Sequence, residues 1–502
     1  MSGSTAILLS IALPLLGMPF IALASRSPNV REAIGLVAAV LTFGTVLSLL
    51  PSVMDGAQPA AHVLDVMPGL SLAFQIEPLG MIFALIASGL WIVTTIYAIG
   101  YMRGHHEENQ TRFFVFFAFA ISAALGVAFA RNMFTLFIFY EILTLSTYPL
   151  VTHHRSEDAL RAGRIYMGIL MSTSVGFLLL GMVWTWQLTG TLEFAPGGIL
   201  TGKASEGIVI VLLGLYAFGT GKAALMPFHR WLPAAMVAPT PVSALLHAVA
   251  VVKAGVFTIM KVVIYLFGTD LLSDAGLSTW LTYIAGFTIL VGSLVAMTKD
   301  NLKARLAYST ISQLSYIVLG ASLANDLGVL GGSMHIVTHA FGKITLFFCA
   351  GAIYIKTHKL EIPDLAGLGR QMPITFGAFT LGALGLAGTP LCVGFISKWN
   401  LGTGALQSGQ PVFLAVFVAS GILNFAYFFP VVYTAFFGRP GQAVRFDEAN
   451  AALWAPLAAT AIVSLILGIY PNAGLQFYHL AWTAAESVMA GAGQALAGGG
   501  TP

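Results

Sequence analysis

Long apolar runs separated by short polar connections follow one another along almost the whole chain. Each run is long enough to cross the hydrocarbon core of a bilayer, which is about 30 Å thick and needs roughly 20 residues of helix. By residue number the runs are 4–24, 32–51, 78–102, 113–130, 133–152, 163–187, 207–226, 241–267, 278–297, 304–324, 328–355, 373–399, 411–437 and 452–471. The pattern predicts an all-α, polytopic membrane protein with about 14 transmembrane helices.

The connections between these runs alternate in charge. Arginines and lysines lie in or beside every second connection, whereas only Arg131 and Lys203 lie in the other set. The residues of the rich set are Arg26, Arg31, Arg103, Arg112, Arg155, Arg161, Arg164, Arg230, Lys299, Lys303, Arg305, Lys356, Lys359, Arg370, Arg439 and Arg445. Because basic connections favour the cytoplasmic side of a membrane, we expect this set in the cytoplasm and both termini on the other side.

The composition agrees with a membrane protein. Of the 502 residues, 57% are apolar and 9% are charged, against about 25% charged residues in soluble domains. The net charge of +3 gives no indication of a nucleic-acid partner. Cys349 and Cys392 lie in apolar runs and form no metal or redox pattern, which predicts two small buried thiols. We interpret residues 1–502 as a single membrane domain, in the inner (plasma) membrane of a bacterium.

Five lysines lie inside the predicted spans. They are Lys222, Lys253, Lys261, Lys343 and Lys398, and Glu141 is the one acidic residue at comparable depth. A charge near the bilayer centre costs at least about 2.5–3.5 kcal/mol, so such residues indicate a functional site. One acid cannot neutralise five lysines, and burial disfavours the charged form, so some of them must spend time deprotonated. This excess predicts proton movement.

The eleventh run carries a second signal. His335, His339 and Lys343 recur at four-residue steps, which places them on one face of a helix. Histidine can both accept and donate a proton through its two ring nitrogens. We interpret the stripe as a proton relay, although a single buried histidine would more often be a core residue.

The other buried groups are less regular. His247 and Lys253 are six residues apart on the eighth run, too far around the helix for direct contact, so a path through water would be needed. Glu141 is the expected counter-charge of Lys222, and the pair is a candidate switch. Lys398 would exchange protons with bulk water at one end of the row. Lys261 lies near the end of its run, where we expect it to reach toward the interface.

Two runs are interrupted in similar ways. Pro227 follows Lys222 in the seventh run, and Pro390 precedes Lys398 in the twelfth. Pro239 and Pro241, at the start of the eighth run, are further candidate helix-break residues. Proline removes a backbone hydrogen bond, and transporters use paired broken helices in inverted repeats to line a site at mid-depth. The pattern predicts two inverted five-helix repeats, residues 113–267 (helices 4–8) and 278–437 (helices 9–13), with broken helices 7 and 12.

Other patterns carry no chemistry. Gly219-Thr-Gly-Lys222 resembles a phosphate loop only superficially, because the first glycine of that pattern would fall at Tyr216. The histidine pairs at 105–106 and 153–154 lie in short basic connections, where we expect solvated side chains rather than a metal site. We expect no catalytic residue, no metal and no cofactor in this chain.

Several motifs match a known family. The segments 228–233 (Phe-His-Arg-Trp-Leu-Pro), 238–255, 303–313, 335–343 and 394–398 resemble the antiporter-like proton-pumping subunits of respiratory complex I and of multisubunit Na⁺/H⁺ (Mrp-type) antiporters. The resemblance covers about residues 70–440. In length and overall pattern the chain is most similar to the D-type subunit of Mrp antiporters, although the motif around His247 is more similar to the distal pump of complex I and to the A-type subunit.

The resemblance implies roles for individual residues and the fourteen-helix fold with inverted repeats. Glu141 and Lys222 match the family's ion pair, His247 and Lys253 its connecting groups, and Lys398 its terminal lysine. One departure concerns residues 172–174, where some members carry an arginine and an aspartate that this chain lacks. Glu141 is therefore expected to have fewer charged neighbours.

These observations favour a proton-translocating membrane subunit of a multisubunit cation/proton antiporter. Protons would move along Lys222, Lys253, His339, Lys343 and Lys398, and the partners would be other membrane subunits, protons and Na⁺. Two alternatives stay open at this point. One is a proton-pumping subunit of an NADH-quinone oxidoreductase or a related redox-driven complex, and the other is a proton-conducting subunit of an inorganic-carbon uptake complex. Any enzymatic activity would lie in partner chains.

Overall fold

Helices form most of the structure, a computed structural model that describes residues 1–439 and 445–497. The first half contains α1 (Gly3–Leu23), α2 (Pro28–Leu47), α3 (Leu50–Met54), α4 (Pro78–Gly104), α5 (Gln110–Ala128), α6 (Met133–Val151), α7 (Glu157–Thr173), α8 (Leu179–Thr189), α9 (Glu206–Gly219), α10 (Trp231–Ala234), α11 (Thr240–Ala244) and α12 (Val251–Val262). The second half contains α13 (Thr269–Asp274), α14 (Thr279–Met297), α15 (Leu302–Ser322), α16 (Asp326–Thr357), α17 (Leu368–Gln371), α18 (Pro373–Ala387), α19 (Val393–Gln407), α20 (Pro411–Phe437), α21 (Ala451–Ile469) and α22 (Phe477–Ala497). The predicted all-α membrane fold is confirmed.

Wider and tighter helical turns connect some of these helices. A π-helical turn at Ser174–Leu178 joins α7 to α8, another at Leu245–Val249 joins α11 to α12, and a third at Val263–Phe267 extends α12. Short 3₁₀ turns cover Ala24–Arg26, Gly221–Ala223, Ala235–Val237 and Ile362–Leu365. Such π turns often occur at functional sites, and one of them contains His247.

Within residues 1–439 and 445–497, eleven continuous helical segments are long and apolar enough to cross a membrane. They coincide with eleven of the predicted runs. The other three runs fall on α9, on α15, and on α18 together with α19; the helices α9 and α18 are apolar but shorter. The number fourteen therefore stays a prediction. The structure also contains the helix α22, which the pattern of apolar runs did not predict. This helix packs against α4 and α16.

A small antiparallel sheet occupies the longest connection. The strands β1 (Ala60–Met67) and β2 (Leu70–Gln75) pair with Ala60 opposite Gln75 and Met67 opposite Leu70. Phe74 also bridges to Ala130 at the start of the next connection on the same side. The hairpin thus covers the ends of α5 and α6, a feature that the sequence pattern did not predict.

Side-chain caps begin the helices that carry the buried polar residues. The side chain of Asn132 accepts a hydrogen bond from the backbone N–H of Thr135 at the start of α6. Asn301 and Asn325 do the same for α15 and α16. Capping satisfies backbone donors that have no partner within the helix, and it typically contributes about 1 kcal/mol.

Both predicted breaks are present. The seventh run stops at Gly219, and Pro227 lies in the irregular segment before α10. In the twelfth run Pro390 lies between Ala387, the last residue of α18, and Val393, the first of α19. Gly388 ends α18 in a left-handed conformation, with φ of 87°, which glycine adopts without steric penalty.

The prediction of helix breaks at Pro239 and Pro241 is wrong. Pro239 directly precedes α11, and Pro241 lies in its first turn. A proline at this position needs no backbone donor and its fixed φ suits a helix start. These two residues therefore begin a helix and do not interrupt one.

Two spans form the centre of the molecule. The span from Thr240 to Phe267 and the span from Asp326 to Thr357 are each surrounded by other helices along their most apolar window. Each of them carries two or more of the ionisable residues predicted to move protons. Other spans, such as α20, leave large apolar side chains exposed on their outer side, including Phe425 and Phe429.

The connections gather at two ends of the bundle. At one end, which we call the basic end, Arg103 bonds to Asn29 at 2.6 Å, and Arg112 donates to the backbone oxygen of His153 at 2.6 Å. At the opposite end, Asn132 donates to the backbone oxygen of Ser71 at 2.9 Å. The alternation of basic and non-basic connections thus corresponds to two ends of one bundle.

Candidate functional site

The two central spans meet at a contact between ionisable side chains. Lys253 of α12 and His339 of α16 are both fully buried, and Lys253 Nζ lies 2.9 Å from His339 Nδ1. The other ring nitrogen of His339, Nε2, is buried without a hydrogen-bond partner among the described residues. Both groups can gain and lose a proton, and no carboxylate takes part in the contact.

The helix α15 supplies hydroxyl groups to the neighbouring buried residues. Lys343 donates to Ser309 Oγ and lies 3.4 Å from the backbone oxygen of Leu306. His247 Nδ1 lies 3.3 Å from Thr310 Oγ1, the next residue along α15. Lys343 and His247 therefore approach the same stretch of α15 from two different helices.

His335 lies in a second polar group toward the twelfth run. Its Nδ1 is 2.9 Å from Ser397 Oγ of α19, and its Nε2 is 2.9 Å from Gln313 Oε1 of α15. The ring of Tyr316 stacks on His335 with centroids 5.0 Å apart. Both nitrogens of this buried imidazole are thus satisfied by neutral polar groups.

Lys398 occupies the broken twelfth helix. Its Nζ donates to the backbone oxygen of Ala387 at 2.9 Å and lies 4.9 Å from the centre of the Tyr316 ring. The break at Gly388 leaves that carbonyl without a partner further along the helix, and a cation at a helix C-terminus is favourable. A Cβ atom at Gly388 would come 2.7 Å from Lys398 Cδ, so the glycine makes room for the lysine.

Lys222 occupies the corresponding break in the seventh run. Its Nζ donates to the backbone oxygen of Tyr140 at 2.8 Å and to Thr144 Oγ1 at 2.6 Å. The same Nζ lies 3.1 Å from the centre of the Tyr140 ring, a cation–π arrangement. A Cβ atom at Gly255 would collide with the backbone of Lys222 and Ala223, so this glycine lets α12 pack directly against the break.

The expected ion pair between Lys222 and Glu141 is not formed in this structure. Neither oxygen of Glu141 lies within 4.0 Å of a basic nitrogen among the residues described, and both oxygens are buried without a hydrogen-bond partner. Lys222 instead takes its oxygen partners from the same helix, α6.

Lys261 has a partner that the sequence did not reveal. It is 1% exposed, its Nζ lies 2.9 Å from Glu77 Oε1, and it donates to the backbone oxygen of Ala130 at 2.7 Å. Lys261 therefore reaches toward the connections at the end of its span, as predicted, but it ends on a buried carboxylate and not in water. Glu77 lies in a connection, but it also caps α4 through Gly80, and this position brings its carboxylate next to α12.

The sequence pattern did not reveal the neutral residues that contact the buried lysine and histidine side chains. These are Tyr140, Thr144, Ser309, Thr310, Gln313, Tyr316 and Ser397. One signal was present, because residues 309–315 read Ser-Thr-Ile-Ser-Gln-Leu-Ser inside a span. Within the described residues, no group of three histidine, cysteine, aspartate or glutamate side chains is placed to hold a metal ion.

Comparison with known proteins identifies the family. Residues 130–423 match the family described as the transmembrane region of NADH:quinone oxidoreductase and Mrp antiporters. Residues 68–114 match the N-terminal family of complex I chain 5. The chain therefore belongs to the antiporter-like, proton-translocating membrane subunits shared by Mrp and complex I-like assemblies.

Individual relatives come from both kinds of assembly. NADH-quinone oxidoreductase subunit N of Desulforudis audaxviator is 31% identical, over 86% of this chain and 88% of that protein. NADH-quinone oxidoreductase subunit L of Mycobacterium tuberculosis is 32% identical, over 92% of this chain and 74% of that protein. The A/B subunit of a probable K⁺/H⁺ antiporter of Rhizobium meliloti is 31% identical over 88% of this chain, which spans 44% of that longer protein.

Solved structures show the same fold. A chain of the Mrp complex from Dietzia sp. superposes with a TM-score of 0.85, covering 97% of this chain and 99% of that one at 22% identity. A chain of an archaeal membrane-bound sulfane sulfur reductase superposes with a TM-score of 0.86, covering 96% and 97% at 25% identity. The prediction of the family is confirmed, and the assignment to the D-type Mrp subunit stays a prediction.

Proposed function

We propose that this chain translocates protons within a multisubunit cation/proton antiporter, along the buried row that includes Lys222, Lys253, His339, Lys343 and Lys398. The observation that carries the proposal is the buried contact between Lys253 Nζ and His339 Nδ1. A hydrogen bond between these atoms requires that one of them lacks a proton, because an ammonium has no acceptor and a doubly protonated imidazole has none either. The contact is therefore a place where a proton can pass between two groups.

The remaining links of the row run through neutral groups and water. Ser309 and Thr310 bring Lys343 and His247 to neighbouring points on α15. Several buried polar atoms, among them His247 Nε2, His339 Nε2 and Gln313 Nε2, have no partner within the described protein. Buried polar groups almost always bind protein or water, which supports a hydrated path between these atoms. The hydrogen-bonded pair of His335 and Ser397 would continue this path from His339 toward Lys398.

Glu141 and Lys222 would act as a switch with two arrangements. In the structure Lys222 bonds to Thr144, which lies three residues after Glu141 and on the same side of α6. A lysine has a flexible four-carbon stem, so its Nζ could leave Thr144 and pair with the unpartnered carboxylate of Glu141. Pairing would favour the protonated lysine, and separation would favour release of its proton.

The two breaks suggest how the row is divided between two repeats. Lys222 and Lys398 each lie at a break, and each donates to a backbone oxygen. This parallel supports the assignment of residues 113–267 and 278–437 as inverted five-helix repeats. The basic connections would face the cytoplasm of a bacterium, with both termini on the other side of the plasma membrane, and the chain would assemble with other membrane subunits.

A redox-driven complex is the second candidate. The relatives at 31% and 32% identity named as subunits N and L of NADH-quinone oxidoreductases favour it. In that case partner chains would carry the electron transfer, and this chain would pump protons in response. The buried row would serve both candidates in the same way, so the driving force has to be measured.

The test compares wild type with Lys222→Ala in vesicles that carry the native complex. The control is Lys203→Ala, because Lys203 is an exposed lysine outside the buried row, in a connection at the end of the bundle opposite the basic end. A pH gradient that forms on adding Na⁺ or K⁺, and that only Lys222→Ala abolishes, would establish cation/proton exchange. A gradient that forms only on adding an electron donor would select the redox-driven candidate. Unchanged transport in Lys222→Ala would contradict both.

A further inference from the structure

A cluster of titratable side chains lies at the basic end, outside the buried row. Glu107 follows α4, and the carboxylate is 2.9 Å from His105 Nδ1, 3.6 Å from His154 Nδ1 and 3.8 Å from His153 Nε2. Glu107 is 9% exposed and His153 is 3% exposed, whereas about 38% of the His154 side chain is exposed. Of the four histidines expected to be solvated, His106 and His154 are exposed, whereas His105 is half-buried and His153 is buried.

The cluster opens into a cavity of about 210 Å³. Its lining includes Glu107, His105 and His154 of the cluster together with Tyr101, Thr240 and Lys303. Lys303 is 8% exposed, and its Nζ donates to the backbone oxygen of Ala238 at 2.7 Å. The cavity thus joins a half-exposed imidazole to the first turn of α15.

The same helix leads from the cavity to the buried row. Lys303 lies in the first turn of α15, and Ser309, the partner of Lys343, lies six residues further along. At 1.5 Å per residue this separation is about 9 Å along the helix axis. Two or three hydrogen-bonded waters, at about 2.8 Å per link, would span such a distance.

We propose that Glu107 and its three histidines are the proton-collecting site through which the row exchanges protons with water at the basic end. The proposal rests on the proposed function, since it names the route by which protons reach the same row. A proton would pass from water to His105 or His154, then to the Glu107 carboxylate, and then through the cavity past Lys303 toward Ser309 and Lys343. Each step transfers one proton between an oxygen or nitrogen donor and an acceptor.

The charges around the cluster suit this role. Burial, followed by the charges of Arg112 and His154, lowers the pKa of His153 to about 4. His153 is therefore neutral near pH 7 and gives Glu107 no fixed positive partner. The groups that face the cluster from neighbouring elements are Tyr101, Arg112, Arg155, Lys303, Tyr354 and His358.

The chain offers matched controls for a test. Glu108 and His106 are the exposed neighbours of Glu107 and His105. The experiment measures proton transport by the native complex in vesicles that start at the same pH on both sides, over a series of pH values. The variants are Glu107→Gln and His154→Gln, with Glu108→Gln and His106→Gln as controls.

We expect the Glu107 and His154 variants to slow transport mainly at high pH. Removing one group of a site that collects protons matters most when protons are scarce, so we expect a loss of about three- to tenfold near pH 8.5 and of less than about twofold near pH 6.5. Both controls should follow the wild-type profile. If Glu107→Gln fails to assemble, the double variant His105→Gln/His154→Gln decides, because it removes both entry groups and both rings are partly exposed.

Two outcomes would overturn the proposal. One is a wild-type pH profile in both cluster variants, and the other is an equal loss at every pH in the variant that assembles. Lys222→Ala is measured alongside them. If it abolishes transport while the cluster variants behave as wild type, only the collecting site is wrong; if it leaves transport intact, the proposed function itself is wrong.

Discussion

Lys253 and His339 are joined by a hydrogen bond in which both atoms are nitrogen and both can carry a proton. Lys398 and Lys222 bind backbone oxygens, and Lys261 pairs with a carboxylate. The hydrogen-bond partner of each lysine determines whether its ammonium can give up a proton. A carboxylate holds the ammonium in place, whereas a neutral imidazole can take over its proton.

The first prediction at this scale concerns the imidazole. His339→Gln keeps a polar group near Lys253 Nζ but removes the only member of the pair that can take over its proton at nitrogen. We expect transport in vesicles to fall about a hundredfold or more, because a positioned proton-transfer group typically contributes roughly 10²–10⁴-fold. His479→Gln, which changes an exposed histidine, should leave the rate unchanged. A normal rate in His339→Gln would remove His339 from the path.

A second prediction separates Lys261 from the row. Glu77→Gln leaves a buried lysine without its counter-charge, which costs roughly 3–5 kcal/mol for a buried pair. We therefore expect a clear drop in the thermal unfolding temperature of the purified complex. The control is Glu193→Gln, which breaks the exposed pair with Arg131 and should cost less than about 1 kcal/mol. Equal stability in the two variants would show that Lys261 does not depend on Glu77.

At the scale of the element, the broken helices place lysines next to free backbone carbonyls. Proline and glycine beside Lys222 and Lys398 were visible in the sequence, so both breaks could be predicted. The partners could not, because Thr144 and Tyr140 lie on α6, about eighty residues from Lys222. Spacing along one helix gives its faces, but it does not show which neighbouring helix covers a given face.

The break at Gly388 gives a prediction with a close control. An alanine there would be strained at φ of 87°, and its Cβ would come 2.7 Å from Lys398 Cδ. Gly409 has a similar φ of 70°, but a Cβ atom there would meet nothing within 4 Å. Both Gly→Ala variants should lose about 1 kcal/mol of stability through backbone strain.

Transport distinguishes these two glycine variants. Only Gly388→Ala should displace Lys398 from the Ala387 carbonyl, and so only this variant should lose transport, by about tenfold or more. The measurement is the rate of pH-gradient formation in vesicles with equal amounts of assembled complex. A loss of similar size in Gly409→Ala would mean that strain, and not the position of Lys398, limits transport.

At the scale of the whole molecule, the alternation of charged connections predicted two ends, and the structure brings the members of each set together. The hairpin, the helix α22 and the pairing of Glu77 with Lys261 were not predicted. The packing of α22 and the pairing of Glu77 with Lys261 depend on contacts between segments that are far apart in the sequence. The two strands of the hairpin are neighbours in the sequence, but both strands and Glu77 lie outside the apolar runs. The collecting site at Glu107 was missed for the same reason, since histidines from two connections meet only in the folded bundle.

Which end faces the cytoplasm is a prediction that labelling can check. Glu108 is exposed at the basic end and Lys203 is exposed at the opposite end, while both natural cysteines are buried. Glu108→Cys and Lys203→Cys should therefore each give a single accessible thiol. If the basic connections are cytoplasmic, a membrane-impermeant thiol reagent added to intact cells should label Lys203→Cys and leave Glu108→Cys unlabelled. Inverted vesicles should give the reverse, and labelling of both positions from one side would contradict the arrangement of the two ends.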